Sequence, residues 1–147
     1  VKDINTEIVN FLYCEVMFKS SGTLRYGTKS WWITLKTDES IPEYYRWFVS
    51  KHVHYKCSGS RHGSHITVNR GELEPVNLEF WGKYNGQEVE FFYHELQHNK
   101  LYTWLRVECE FLSNLREELG LPPRTHGFHL TVARSQSLYT FPGISPE

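Results

Sequence analysis

One pattern constrains the fold of this chain more than any other: Gly127-Phe128-His129-Leu130-Thr131-Val132-Ala133-Arg134. It alternates, and successive side chains of a strand point to opposite faces. His129 and Thr131 therefore share one face, and Phe128, Leu130 and Val132 share the other. The pattern occurs twice. Sixty-four positions earlier, Gly63-Ser64-His65-Ile66-Thr67-Val68-Asn69-Arg70 repeats the Gly, the His, an aliphatic residue, Thr, Val and a closing Arg. Each copy follows a loop with a His of its own, His62 or His126. A single His-x-Thr is a weak signal, because Thr is a common strand residue. Two copies with matching flanks predict one site built twice.

The rest of the chain is read around these strands. Apolar residues Ile4, Ile8, Phe11 and Leu12 recur at helical spacing, predicting a helix over 3–18. Residues 24–30 are polar and read as a loop. Trp31 to Thr37 is rich in strand formers. Ser40, Pro42 and Glu43 read as a helix start, with Ser40 as the cap. Cys57 to Gly63 is a Ser/Gly loop into the first His-x-Thr strand. Residues 76–84 alternate loosely and predict a strand, closed by an Asn85-Gly86 hairpin turn. A second strand pair is expected over 89–96 and 101–107. Phe111, Leu112, Leu115 and Leu119 then mark a helix ended by Gly120 and Pro122. Residues 135–147 read as a tail or lid. The expectation is a single α+β domain over 1–147, with a core over about 31–134, folded as two α+β halves that each end on a His-bearing strand.

Composition narrows the partners. A formal charge of -1 over 147 residues supplies no global basic field, which argues against a duplex nucleic-acid ligand. Aromatic residues reach 16% of the chain, enough to fill a core and leave some for stacking on a planar ligand. Three Cys at wide spacing fit a reduced, cytoplasmic protein better than a disulfide scaffold. No apolar run has membrane-spanning length, and the N-terminus is polar rather than signal-like. No obligate protein partner is inferred.

Two facing imidazoles are the minimum for concerted proton transfer near neutral pH, since one can accept a proton while the other donates one. Phosphodiester transfer needs that pairing: a base for the attacking hydroxyl and an acid for the leaving oxygen. Thr67 and Thr131 suit the non-bridging phosphate oxygens, because they donate hydrogen bonds from rigid strands. With imidazolium and hydroxyl donors meeting the developing charge, no metal or cofactor is required. His65, Thr67, His129 and Thr131 are the candidate catalytic residues. Arg70 and Arg134, with Arg61 and Arg124, are candidate phosphate contacts. Tyr13, Tyr26, Trp32, Trp81 and Tyr139 are candidate stacking residues.

These two motifs resemble those of the 2H phosphoesterases, a superfamily defined by paired His-x-Thr/Ser motifs. The resemblance covers about residues 31–134. It implies a bilobed α+β fold, with two pseudo-symmetric lobes of antiparallel sheet, helices outside and a central groove. It also implies metal-independent action on 2',3'-cyclic phosphates, 2'-5' linkages or other RNA-like phosphodiesters. Within the superfamily, Pro122-Pro123-Arg124-Thr125-His126-Gly127-Phe128-His129-Leu130-Thr131 is similar to the anti-CBASS phosphodiesterases of T4-like phages. That likeness implies a cyclic oligonucleotide substrate. A groove that binds a nucleotide without cleaving it is the alternative.

One motif competes. His94-Glu95-Leu96-Gln97-His98 matches the zinc-protease pattern H-E-x-x-H, which works on a helix. Here it follows the strand-like run Val89 to Tyr93. On a regular strand the two His would share a face at roughly 13 Å, too far to chelate one ion.

Overall fold

The computed structural model describes residues 17–53 and 57–135. The helix expected over 3–18 and the tail expected over 135–147 fall almost wholly outside the described residues, and Tyr13 and Tyr139 with them. Where they overlap the described part, the chain is extended: Phe18 opens the first strand and Ser135 closes the last.

Seven strands and two helices are described: β1 (Phe18–Tyr26), β2 (Ile33–Thr37), α1 (Ser40–Val53), β3 (Cys57–Ser58), β4 (His65–Asn69), β5 (Glu88–His98), β6 (Tyr102–Glu108), α2 (Glu110–Glu118) and β7 (Phe128–Ser135). A 3-10 turn spans Leu78–Phe80. The sheet runs β7-β4-β2-β1-β5-β6, all antiparallel, and β6 pairs back onto β7. Six strands therefore close a barrel, and β3 adds to the end of β7 beside β4. The class is α+β, as expected.

The closed sheet explains the core. Alternate residues Leu24, Leu35, Ile66, Val68, Phe91, Leu105, Leu130 and Val132 are buried and form one cluster. Leu112 and Leu115 of α2, with Leu119 just past its end, join that cluster, and Ile41 and Tyr45 of α1 pack against it.

Four local expectations are corrected. Residues 24–26 form the end of strand β1 rather than a loop. In β1, Ser21, Thr23 and Arg25 face outward, Leu24 faces the core, and Gly22 crosses β2 so closely that a Cβ would lie 2.5 Å from the Lys36 carbonyl oxygen. Residues 76–84 are not a strand. The Val76 and Asn77 amides donate to the Leu119 carbonyl at 3.0 Å each, and Asn77 Nδ2 donates to the Glu118 carbonyl, so this segment covers the open end of α2. Asn85-Gly86 does turn, with Gly86 at φ 85°, but it ties the chain to the end of β1 and leads into β5 instead of joining a hairpin. Ser40 is not the cap of α1 but its first residue, and its own amide donates to Asp38 Oδ1 at 2.8 Å. That hydrogen bond also lowers the Asp38 pKa.

Candidate active site

The site begins with one cross-strand pair. Ile66 of β4 lies opposite Leu130 of β7, antiparallel, and both are fully buried. Each is the middle residue of a His-x-Thr. An antiparallel pair has a local two-fold axis, and here it passes between the two motif centres. The register therefore sets Thr67 opposite His129 and His65 opposite Thr131, all four on the outer face and half-buried. Directly opposed side chains are roughly 5 Å apart at Cβ, and the diagonal histidines about 7 Å apart. That spacing leaves room for one phosphate between the imidazoles.

The two-fold extends beyond the motifs. Ser60-Arg61-His62-Gly63 and Arg124-Thr125-His126-Gly127 are matching turns. The Gly63 amide donates to the Ser60 carbonyl and the Gly127 amide to the Arg124 carbonyl, each at 3.3 Å. Gly63 and Gly127 have φ 76° and 67°, in the left-handed region that favours glycine. The helices obey the same relation crosswise. Arg46 of α1 donates to the Val132 carbonyl of β7 at 3.0 Å, and Arg116 of α2 donates to the Val68 carbonyl of β4 at 2.7 Å. Val68 and Val132 each follow a motif Thr. Each half thus holds the other half's motif strand through one guanidinium.

Arg116 is 5% exposed and makes no ion pair among the described residues. Its donors are met by neutral acceptors: the Pro122 carbonyl at 2.6 and 3.2 Å, Asn69 Oδ1 at 3.3 Å and the Val68 carbonyl. Burial, then the neighbouring Arg124 charge, lowers its pKa. Arg124 Nη1 donates to the Thr67 carbonyl at 2.7 Å, and its guanidinium lies 5.7 Å from the centre of the Phe128 ring. Burial and then Arg70 lower its pKa too.

The two histidines differ. His129 has its pKa pulled below 6.5, first by burial, then by the Arg124 charge, then by His65. It is biased toward the neutral imidazole, which accepts a proton. His65 Nδ1 lies 2.9 Å from the Gly63 carbonyl oxygen. A carbonyl only accepts, so Nδ1 carries the hydrogen and Nε2 points away from the backbone.

The barrel register identifies neighbours that local reading did not. On β2, Lys36 lies opposite His65 and Thr34 opposite Thr67. On β6, Arg106 lies opposite His129 and Trp104 opposite Thr131. Each motif His thus has a cation beside it on the outer face. Lys36 also donates to the His62 carbonyl at 3.2 Å, and Arg106 pairs with Glu95 at 3.3 Å. A groove of about 1730 Å³ runs between the outer face of β5, β6 and β7 and the segment of α2 and its following loop; Trp104, Arg106, Arg124, His126, His129 and Thr131 line it, whereas His65 and Thr67 of the first motif do not.

The remaining candidates fall at different distances from this centre. Arg70 is exposed and paired with Glu72 at 2.9 Å, close enough to Arg124 to act on its charge. Arg134 lies opposite Tyr102 at the far end of β7. Arg61 is exposed in the first motif turn. Trp32 is 41% exposed, with its indole against Gly71. Trp81 does not line the groove: its ring meets Tyr26 and Trp31 edge-on and packs against the core, and Tyr26 is held there with it.

The H-E-x-x-H run lies on β5, as its neighbours suggested, but not as a regular strand. Glu95 is a bulge with φ 23°. His94 pairs with Arg106 on the outer face, whereas Leu96 and His98 pair with Leu105 and Thr103, both buried. The bulge puts His94 and His98 on opposite faces, correcting the expectation that they share one. Among the described residues, no group of three or more His, Cys, Asp or Glu side chains is placed to hold a metal ion. No helix there is long and apolar enough to cross a membrane.

In comparisons with protein-family models, with curated proteins and with solved structures, nothing matches this chain.

Proposed function

We propose that this protein is a two-histidine phosphodiesterase of the 2H type, with the two halves of the barrel acting as its two lobes. The observation that carries the reading is the Ile66–Leu130 register, which faces two His-x-Thr motifs toward each other across a local two-fold axis. The substrate is an RNA-like phosphodiester, and the preferred class is a cyclic di- or trinucleotide messenger. Cleavage would silence host antiviral signalling of the CBASS type in the cytoplasm.

The scissile phosphate sits between the imidazoles, with Thr67 and Thr131 donating to its non-bridging oxygens. Lys36 and Arg106 add positive charge on either side. Neutral His129 takes the proton from the ribose 2'-hydroxyl as the bond from O2' to phosphorus forms. His65, protonated, gives its proton through Nε2 to the 5'-oxygen as the bond from phosphorus to O5' breaks. The product is a linear oligonucleotide with a 2',3'-cyclic phosphate end.

The test is chromatography of 3',5'-linked cyclic di- and trinucleotides incubated with the protein in EDTA, beside the His65→Ala/His129→Ala double variant. Linear products from the wild type alone support the proposal. Cleavage restricted to 2',3'-cyclic or 2'-5' RNA ends keeps the chemistry and removes the messenger role. Ligand retained intact makes the protein a binder, and dependence on added zinc overturns the mechanism.

A further inference from the structure

Among the outer-face residues directly opposite the motif His and Thr, the local two-fold breaks at one position. Rotation about the Ile66–Leu130 pair carries Lys36 onto Arg106, a cation onto a cation. It carries Thr34 onto Trp104. The outer face of β2 beside the first motif is thus hydroxyl and amine, while the outer face of β6 beside the second carries an indole.

That indole is held in place. Trp104 Nε1 donates to Gln97 Oε1 at 3.1 Å, from its cross-strand partner on β5. Tyr102, two residues along the same face, is 40% exposed, and Arg134 lies opposite it. Trp104 is one strand from the second motif, diagonal to His129, and lines the same groove as His129 and Thr131. A phosphate alone needs far less space than this groove has.

We infer that the outer face of β6 is a nucleobase subsite. The base of the nucleoside whose hydroxyl faces His129 stacks on Trp104, Tyr102 extends the platform, and Arg134 meets the next phosphate along the strand. The nucleoside on the other side lies over Thr34 and Lys36, where no indole stands beside the motif and the exposed ring on that face, Trp32, is two residues farther along. Substrate polarity follows from this asymmetry. The inference rests on the phosphodiesterase reading for its orientation but not for its readout.

The experiment uses adenosine 3'-monophosphate, a monoester that this chemistry does not cleave, with inorganic phosphate as the base-free probe. Calorimetric titration of the wild type and of Trp104→Ala should show adenosine 3'-monophosphate weakened on the order of tenfold or more, and phosphate unchanged. Trp104→Phe should retain most of the affinity, because a ring remains. Equal affinity in Trp104→Ala overturns the subsite, as does equal loss for both probes. Should Trp104→Ala not fold, quenching of tryptophan emission by the nucleotide in the wild type and in Trp104→Phe decides. Quenching that is unchanged in Trp104→Phe places the base elsewhere. Nucleotide binding lost in Trp104→Ala with no turnover of any phosphodiester keeps the subsite and removes the enzyme. Turnover with unchanged binding does the reverse.

Discussion

His129 is the residue on which the proposed chemistry and the stability of the site meet. Its folded pKa lies below the 6.5 of a free imidazole. Above pH 6.5 it is neutral both folded and unfolded, and its full contribution is present. Between 6.5 and the lowered folded value, the unfolded chain binds more protons, so stability falls as pH falls. Urea midpoints of the wild type should drop between pH 7 and pH 5 by more than those of His129→Gln. Arg124→Gln removes one cause of the shift, so the imidazole titration followed by NMR should move up toward 6.5. Replacing either motif His with Ala should lower kcat/KM by about 10²–10⁴ while leaving a folded protein, since both side chains are on the outer face. The two turn glycines should respond unequally. A Cβ on Gly127 meets nothing within 4 Å, so Gly127→Ala costs the left-handed strain alone, about 1 kcal/mol. A Cβ on Gly63 would sit 2.8 Å from Glu39 Oε1, which accepts the Ser64 amide, so Gly63→Ala should cost more in denaturant titration.

At the scale of elements, the helices act on the site through the strands. Arg116→Met leaves the buried Val68 carbonyl and the part-buried Pro122 carbonyl without their donor, at a cost of about 2–3 kcal/mol. Arg46 makes one such bond from a half-buried position, and Arg46→Met should cost about 1 kcal/mol in the same urea titration. Each loss frees the motif strand of the opposite half, so turnover should fall in both variants in conditions where they remain folded. The end of α2 is secured separately. Gly120 at φ 75° lets the Leu121 amide return to the Arg116 carbonyl at 2.9 Å, and residues 76–77 meet the Leu119 carbonyl.

For the whole molecule, β7 is the strand that closes the barrel. It pairs with β6 on one side, and with β4 and β3 on the other. Stability and site assembly are therefore one event: when β7 leaves, the two motifs part. Native-state hydrogen exchange should show the amides of Leu105, Ile66 and Leu130 opening only with global unfolding, whereas those of the two-residue β3 exchange sooner. Leu130→Ala, at the centre of the two-fold, should cost about 2–5 kcal/mol in urea titration.

Local physics sufficed for much of this protein. A period of two put His65 with Thr67 and His129 with Thr131, a helix-start pattern located α1 and helical spacing located α2, because such patterns are properties of neighbouring residues. Which strands lie side by side is not such a property. Lys36, Trp104 and Arg106 flank the motifs only because β2 and β6 pair there, and nothing in their own segments signals it. The bulge at Glu95 separates His94 from His98 through a register shift against β6. Residues 76–84 have the composition of a strand, yet they lie across the end of α2, whose carbonyls need donors. The residues of the candidate site were thus written along the chain. Their mutual facing, and the asymmetry between Thr34 and Trp104 around them, arose from long-range pairing in a closed sheet.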